Sequence, residues 1–300
     1  MILEKIKKFR KRNKGRVWRK LGHEVGGRVY KKRIVRKILS SMYSPREPKK
    51  WIFIVGCYNS GTSILREILG SHPDVSALPF EGATLTDEFR APEDLGWTRN
   101  WLNCVDYVSL PAKVDAEKKK KLLKDWAPLW SRKSSVFLEK TISNIERMEW
   151  IDMNLDNVYF LGITRNGYAS IEGMKRKAAP KGNARTEYKK DQYDYSFVAK
   201  QWGVANMHLF ENAKNVKRFK HIFYEEMVAN SEHVFKEIFS YLELDSSPYK
   251  FEGNKISVGN TSFVLKNMNF LSFKNLSNQD MLEIEAEVKE QLELFSYDRE

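Results

Sequence analysis

Residues 51–65, WIFIVGCYNSGTSIL, indicate the fold because they join an apolar strand, a short polar loop and the start of a helix. The loop fits the phosphate-binding pattern G-x-x-x-x-G-x-[ST], with Gly56, Gly61 and Ser63 at the defining positions. Unpaired backbone N–H groups at a helix N-terminus favour an anion, so the stretch predicts a phosphate site. Thr62 stands where a nucleoside triphosphatase has its lysine, which argues against a site for the γ-phosphate of ATP.

The rest of the chain alternates between strand and helix patterns. Further strands are predicted at four apolar segments, residues 75–79, 134–141, 157–165 and 219–227. Helical patterns separate them, which predicts an α/β fold with a three-layer arrangement, a parallel sheet flanked by helices. Residues 174–195 are poor in apolar side chains and are expected to form a long surface loop or a lid.

Positive charge is concentrated at the N-terminus. The net charge is +13, and residues 1–50 hold 19 Lys and Arg against three Glu, whereas the remainder holds 33 basic and 36 acidic residues. We therefore predict a basic arm and linker at residues 1–48 and one slightly acidic domain at residues 49–300. The main domain has no zinc pattern and no RNA-recognition aromatic set, so neither a metal site nor nucleic-acid binding is expected.

The arm also has an amphipathic pattern, in which Val35, Ile38, Leu39 and Met42 share one helical face. A basic amphipathic helix is suited to an anionic membrane surface, contacted here through residues 1–45. The alternative is a solvated helix that packs its apolar stripe on the main domain.

Cysteine usage and hydropathy predict the cellular compartment. Only Cys57 and Cys104 are present, far apart, which favours a reducing environment over a disulfide scaffold. No apolar run approaches the roughly 20 residues of a membrane-spanning helix, and the N-terminus lacks the apolar region of a signal peptide. The expected location is therefore the cytoplasm or the cytoplasmic face of a membrane.

The loop and five later segments resemble, in the same order, the motifs of the sulfotransferases that use 3′-phosphoadenosine 5′-phosphosulfate (PAPS). The later segments are SHPDVSALPFEG (71–82), FLEKTISNIERM (137–148), YFLGITRNGYASIEG (159–173), IFYEEMVANSEHVFKEIFSYLEL (222–244) and VGNTSF (258–263). The resemblance implies a P-loop NTPase-like sulfotransferase fold. It also implies transfer of a sulfuryl group from PAPS to a hydroxyl or amine, without a required metal.

The resemblance assigns residues to the nucleotide. The backbone of residues 59–63 would hold the 5′-phosphate, helped by Ser60, Gly61, Thr62 and Ser63. Arg165 would hold the 3′-phosphate, for which a charge-assisted bidentate contact is suited; the alternative is an ordinary arginine at a strand end. The family has a serine eight residues later, where this chain has Gly173. Either Ser170 after a local shift or the backbone would replace that serine.

The resemblance also assigns catalytic roles. Glu81 would be the base that takes the acceptor's proton, as in several carbohydrate and tyrosyl sulfotransferases, and Lys140 would hold charge on the transferring group. A surface glutamate and a lysine paired with Glu139 or another carboxylate are the alternatives. Asn59 stands where the family has Lys or Arg, so its contact to the leaving-group side would carry no charge.

The acceptor is left open among hydroxyl-bearing sugars, lipids, peptides and small metabolites, with a carbohydrate as the first choice. Two Trp pairs with i,i+4 spacing, Trp97 with Trp101 and Trp126 with Trp130, indicate either core packing or an aromatic wall for the acceptor. Two other functions remain as alternatives. They are a non-catalytic nucleotide-binding relative and a P-loop nucleotide kinase.

Overall fold

A computed structural model describes residues 28–297 of the chain. Its central strands are β1 (Lys50–Gly56), β2 (Val75–Ala77), β3 (Val136–Lys140), β4 (Val158–Thr164) and β5 (Phe219–Phe223). They form a parallel sheet in the order β2–β3–β1–β4–β5. The predicted α/β fold, a parallel sheet flanked by helices, is confirmed.

Helices connect and cover these strands. The α-helices are α1 (Arg33–Ser41), α2 (Thr62–Leu69), α3 (Val105–Val108), α4 (Ala116–Trp126), α5 (Met148–Asn154), α6 (Gly167–Lys177), α7 (Gly182–Tyr188), α8 (Tyr195–Ala213), α9 (Tyr224–Ala229), α10 (Ser231–Tyr241), α11 (Asn269–Phe273) and α12 (Asn278–Leu294). Short 3-10 helices lie at Gly82–Leu85, Pro92–Leu95, Leu102–Cys104, Ala127–Leu129 and Ile142–Arg147. Strands β6 (Tyr249–Glu252), β7 (Lys255–Val258) and β8 (Thr261–Val264) form a separate antiparallel sheet, and the VGNTSF segment spans its second turn.

Strand β1 lies in the middle of the sheet because both of its faces are apolar. Trp51 and Phe53 belong to the core on one side of the sheet, whereas Ile52 and Ile54 belong to the core on the other. This alternation is the period of two that a strand imposes on its side chains, and burial on both faces is typical of parallel sheets. In register, Ile54 pairs with Lys140 of β3 and with Leu161 of β4, so the carboxyl ends of these three strands lie side by side.

Residues 174–195 differ from the expected surface loop. They contain the end of α6 and all of α7, and the Tyr193 ring is buried and stacks on Trp97 with ring centroids 6.4 Å apart. Many residues of the segment are exposed, as expected for a surface segment, but the prediction of an irregular loop was wrong. Aromatic residues separated by charges anchor this segment to the core. The average hydropathy of the segment is low, so it does not reveal single aromatic residues that are buried.

Helix α1 packs on the main domain through its polar side. Arg36 is buried and pairs with Asp87, and the buried Tyr30 just before the helix donates its hydroxyl to the backbone oxygen of Asp125. Ile38 and Met42, by contrast, are 58% and 71% exposed. Leu39 is 37% exposed and Val35 is half-buried, so most of the predicted apolar stripe faces away from the domain. Residues 1–27 of the predicted arm lie outside the described residues.

Candidate active site

The phosphate loop follows β1 and needs both of its glycines. Gly56 has φ 152° and Gly61 has φ 101°, values that L-residues with side chains rarely adopt. A Cβ at Gly61 would lie 2.7 Å from the Tyr224 ring, and one at Gly56 would collide with the backbone oxygen of Ile163. The loop is thus folded tightly against the end of β4 and the segment that follows β5.

The loop presents an open helix N-terminus. Helix α2 begins at Thr62 with Gly61 as its N-cap, and no side chain of the described residues caps it. Its first backbone N–H groups are therefore available to an anion, and the helix dipole adds to the attraction. Ser60 is fully buried and donates its hydroxyl to the Cys57 backbone oxygen at 2.6 Å, so it shapes the loop, whereas Ser63 is exposed.

Glu81 and Lys140 form an ion pair beside this loop. Lys140 is the last residue of β3, and its Nζ lies 2.5 Å from Glu81 Oε1. The lysine side chain is 9% exposed and the glutamate side chain 32%, so the pair reaches the surface through the carboxylate. The sequence analysis named Glu139 or another carboxylate as an alternative ion-pair partner of Lys140. In the structure the partner of Lys140 is Glu81. The predicted base and the predicted cation are therefore brought together.

The carboxylate of Glu139 is bound by hydrogen-bond donors of the neighbouring segments and not by Lys140. This fully buried carboxylate accepts hydrogen bonds from Gly82 N and Asn144 Nδ2, both at 2.6 Å, and from the Thr141 hydroxyl. Burial raises the pKa of Glu139 to about 7, and the hydrogen bonds from Thr141 and Gly82 oppose that rise. Glu139 thus ties the segment that carries Glu81 to the end of β3.

Arg165 follows β4 and reaches across to the phosphate loop. Its Nη1 donates to the Asn59 backbone oxygen at 2.9 Å, its Nε donates to Asn269 Oδ1 at 2.8 Å, and its guanidinium lies over the Tyr224 ring. Burial lowers the pKa of Arg165 from its ordinary value, while Tyr224 and Glu225 oppose this effect. The guanidinium is held rigidly at the loop, which suits recognition of a phosphate.

The two departures from the family pattern, Asn59 and Gly173, face each other. A Cβ at Gly173 would lie 3.3 Å from Asn59 Cγ, so the glycine packs directly against the amide. Ser170, the predicted substitute for the missing serine, is fully buried and donates its hydroxyl to the Arg165 backbone oxygen at 3.5 Å. Its hydroxyl therefore supports the backbone of Arg165 in this structure.

Two cations that the motifs do not contain also reach Asn59. Lys177 Nζ and Arg99 Nη1 donate to Asn59 Oδ1 at 3.0 and 3.3 Å. Lys177 lies one turn after Gly173 on α6, so helical spacing from the motif could have revealed it. Arg99 comes from an irregular segment with φ 53°, and no sequence signal marks it.

The tryptophan pairs belong to the core. Trp97, Trp101, Trp126 and Trp130 are each at most 4% exposed, and Trp51 packs on both Trp126 and Trp130. They therefore do not form an accessible wall for an acceptor. Core packing is the alternative that the structure supports.

Comparison with known proteins gives the family. The model of a sulfotransferase family matches residues 51–248. No curated protein sequence matches the chain significantly. Among solved structures, the sulfotransferase domain of the curacin biosynthetic pathway is 15% identical, with a TM-score of 0.49, 84% of this chain covered and 99% of that one.

Two further solved structures are similar. A sulfotransferase from Alicyclobacillus acidocaldarius is 17% identical, with a TM-score of 0.43, 81% of this chain covered and 96% of that one. A mouse sulfotransferase complexed with PAP is 15% identical, with a TM-score of 0.36, 85% of this chain covered and 68% of that one. Since the family model matches most of the chain, the protein belongs to the sulfotransferase family, as its motifs predicted for a PAPS-dependent enzyme.

Proposed function

We propose that this protein transfers the sulfuryl group of PAPS to a hydroxyl or amine of an acceptor. One observation carries the proposal. The phosphate loop, Lys140 with Glu81, and Arg165 lie at the carboxyl ends of three adjacent parallel strands, β1, β3 and β4. Ligands of open α/β sheets bind at this edge. The open helix N-terminus and the buried arginine fit the two phosphates of a nucleotide such as PAPS.

The donor would be held by its phosphates. The N–H groups at the start of α2, with the hydroxyls of Thr62 and Ser63, would bind the 5′-phosphate. Arg165 would bind the 3′-phosphate from its fixed position beside Asn59. Ser60 and Ser170 would act through the loop and the Arg165 backbone, since their hydroxyls already donate to backbone oxygens.

The transfer step would use the ion pair. The acceptor oxygen forms a bond to sulfur, the bond from sulfur to the phosphate oxygen breaks, and the electron pair leaves with the phosphate. The Glu81 carboxylate takes the acceptor's proton, and Lys140 stabilises charge on the sulfuryl oxygens. The 2.5 Å contact between Glu81 and Lys140 orients both groups for this step.

Calorimetry with PAP, the nucleotide product of the transfer, tests donor binding. Wild-type protein should bind PAP, and Arg165→Ala should weaken binding at least about tenfold, because a charged hydrogen bond is worth roughly 1.5–3 kcal/mol. Arg185→Ala is the matched control, since Arg185 is exposed and pairs with Asp191. An absence of PAP binding by the wild type would overturn the proposal.

Labelled-PAPS transfer to an acceptor panel separates the proposal from its alternatives. A carbohydrate hydroxyl is our first proposed acceptor and a peptide tyrosine the second, because a glutamate base resembles that of several carbohydrate and tyrosyl sulfotransferases. Glu81→Gln should abolish transfer while PAP still binds, and the exposed Glu117 provides the control substitution to Gln. If Glu81→Gln leaves the transfer rate unchanged, the role of Glu81 as the base is refuted. Tight binding of ATP with Mg²⁺ would support a kinase, which Thr62 disfavours.

We also propose that α1 binds an anionic membrane surface, at the cytoplasmic face of a membrane. Helix α1 is held to the main domain by Tyr30 and Arg36, and its outer side exposes Ile34 (75%), Ile38 and Met42. The excess of basic residues in residues 1–50 complements anionic lipid headgroups. Within the described residues, no helix has the length and apolar character to cross a bilayer. The division into an arm at residues 1–48 and a domain at residues 49–300 stays part of this proposal.

Co-sedimentation with vesicles tests the membrane proposal. Wild-type protein should bind vesicles that contain phosphatidylserine, and Ile34→Asp with Ile38→Asp should reduce that binding at least about tenfold by placing charge at the apolar contact. Leu282→Asp, on an exposed position of α12, is the control. Substitutions are preferable to deletion because Tyr30 is buried in the domain. Unchanged binding by the double variant would refute docking through α1.

A further inference from the structure

Three cationic side chains meet at Asn59. Lys177, Arg99 and Arg165 each donate to Asn59, the first two to its side chain and the third to its backbone. Within residues 28–297, no carboxylate lies within 4 Å of the charged nitrogens of these three residues. Burial lowers the pKa of Lys177, and the neighbouring Arg99, Arg176 and Arg165 lower it further. Glu172 opposes this effect, and Glu93 Oε1 accepts a hydrogen bond from the Arg99 backbone N–H at 3.5 Å. Three cations whose charged nitrogens have no ion-pair partner in this part of the chain indicate a site for an anion.

The amide of Asn59 is itself incompletely bonded. Its Oδ1 accepts from both cations, but its Nδ2 is buried and has no hydrogen-bond partner among the described residues. An unpaired buried donor costs free energy unless a ligand pairs with it. Asn59 also has φ 63°, in the left-handed region that asparagine adopts more readily than most residues with a side chain.

Gly173 makes this arrangement possible. Because Asn59 packs within van der Waals distance of the position that a Cβ would occupy, the side chain of Asn59 lies against the surface of α6. Lys177 is one helical turn further along α6 and reaches the same amide from that side. The two departures from the family pattern therefore meet at one point, where the loop has an amide and α6 supplies a lysine.

We propose that Lys177 and Arg99 together replace the cation that the loop lacks at Asn59, and that they bind the phosphosulfate end of the donor. This rests on the proposed function. When the bond from sulfur to the phosphate oxygen breaks, negative charge grows on the phosphate, and these two cations stabilise it. Asn59 serves as the positioning residue, since its Oδ1 holds both cations in place and its Nδ2 is left to donate to the same anion.

The test removes the cations at Lys177 and Arg99 and then places a cation at Asn59. Lys177→Met and Arg99→Met should each lower kcat/KM for PAPS roughly 10- to 100-fold and weaken PAP binding at least about threefold. Adding Asn59→Lys to the Lys177→Met variant should recover at least about tenfold of the lost kcat/KM, because the cation returns to the loop. Lys175→Met is the matched control, since Lys175 lies two residues away and contacts the Tyr195 ring.

The outcomes distinguish the two proposals. If wild-type protein does not bind PAP, the proposed function fails. If it binds PAP in an Arg165-dependent way, and the Lys177→Met and Arg99→Met variants bind and transfer like wild type, this inference alone is refuted. A loss of activity that Asn59→Lys does not recover would also refute it. Circular dichroism melts check the fold of each variant, and Lys177→Met alone decides the question if the Arg99 substitution misfolds.

Discussion

Gly61 shows how closely the phosphate loop is packed. Its backbone has φ 101°, and the Tyr224 ring lies where a side chain would begin. The same ring lies under the Arg165 guanidinium, so one aromatic residue supports both halves of the proposed nucleotide site. Changes at Gly61 should therefore affect binding as well as stability.

We predict that Gly61→Ala destabilises the fold by about 2 kcal/mol or more and weakens PAP binding at least about tenfold, because backbone strain adds to the collision with Tyr224. Gly253→Ala is the matched control. Gly253 also has positive φ, 59°, but no atom of the described residues lies within 4 Å of its Cβ position. Urea unfolding and calorimetry measure the two effects. Equal losses in both variants would contradict the steric explanation.

A substitution at Lys140 can separate its role in the transfer step from a role in nucleotide binding. We predict that Lys140→Met lowers the transfer rate roughly 100-fold, because a cation beside the transferring group is lost, while PAP affinity falls less than about fivefold. Single-turnover kinetics and calorimetry separate the two quantities. The control is Lys133→Met, on an exposed residue before β3. A parallel loss of rate and affinity would instead indicate that Lys140 binds the nucleotide.

At the scale of elements, the end of β3 holds the 3-10 helix Gly82–Leu85 through Glu139. Burial raises the pKa of this carboxyl from its ordinary value to about 7. Between the ordinary pKa and pH 7 the unfolded chain has released the proton that the folded chain still binds. The free energy of unfolding should therefore fall as pH rises through this window and level off above pH 7.

We predict that Glu139→Gln removes most of this decline, because glutamine does not titrate. At pH 5, where Glu139 is protonated in the folded protein, the variant should be less stable by about 1–3 kcal/mol. The hydroxyl oxygen of the neutral carboxyl can still accept the hydrogen bond from Asn144 Nδ2, whereas the NH2 group of Gln cannot. Urea unfolding at pH 5, 6, 7 and 8 measures both effects, with the exposed Glu252→Gln as control. An unchanged pH dependence in Glu139→Gln would show that other groups cause it.

Some elements could be predicted from the pattern of their own residues, and others could not. The strands before the loop and before Arg165 were predicted because runs such as WIFIVG and VYFLGIT are apolar on both faces. Residues 174–195 were misjudged, since only contact with Trp97 shows that Tyr193 is an anchor. A strand in the middle of a sheet can thus be predicted from its own residues. A single buried aromatic residue such as Tyr193 can be recognised only when the residue that it packs against is known.

At the scale of the whole molecule, α1 packs on the main domain although it lies outside the family-matched part of the chain. Tyr30 is 2% exposed, and its hydroxyl reaches the end of α4 at Asp125. We predict that Tyr30→Ala lowers the free energy of unfolding by roughly 3 kcal/mol, because a buried aromatic side chain is lost. Tyr30→Phe should cost only about 1 kcal/mol, since it removes the hydrogen bond alone.

Differential scanning calorimetry of the two variants checks this prediction, and PAP binding should stay within about twofold of wild type in both. Equal melting temperatures for Tyr30→Ala and wild type would mean that α1 is only loosely attached. The membrane proposal would then need a different anchor, because α1 could not hold the main domain at a fixed position on the bilayer.

The sequence by itself determined the α/β fold, the phosphate loop and the family, because strand periodicity, glycine requirements and motif order are carried by neighbouring residues. It also identified Glu81, Lys140, Asn59 and Arg165 as candidate site residues. Only the tertiary structure decided which of them meet. It paired Glu81 with Lys140, brought Lys177 and Arg99 to Asn59, and turned the apolar side of α1 outward. The contacts of Glu81 and Asn59 join residues 40 to 118 positions apart, and packing of the whole chain, not local pattern, sets such distances.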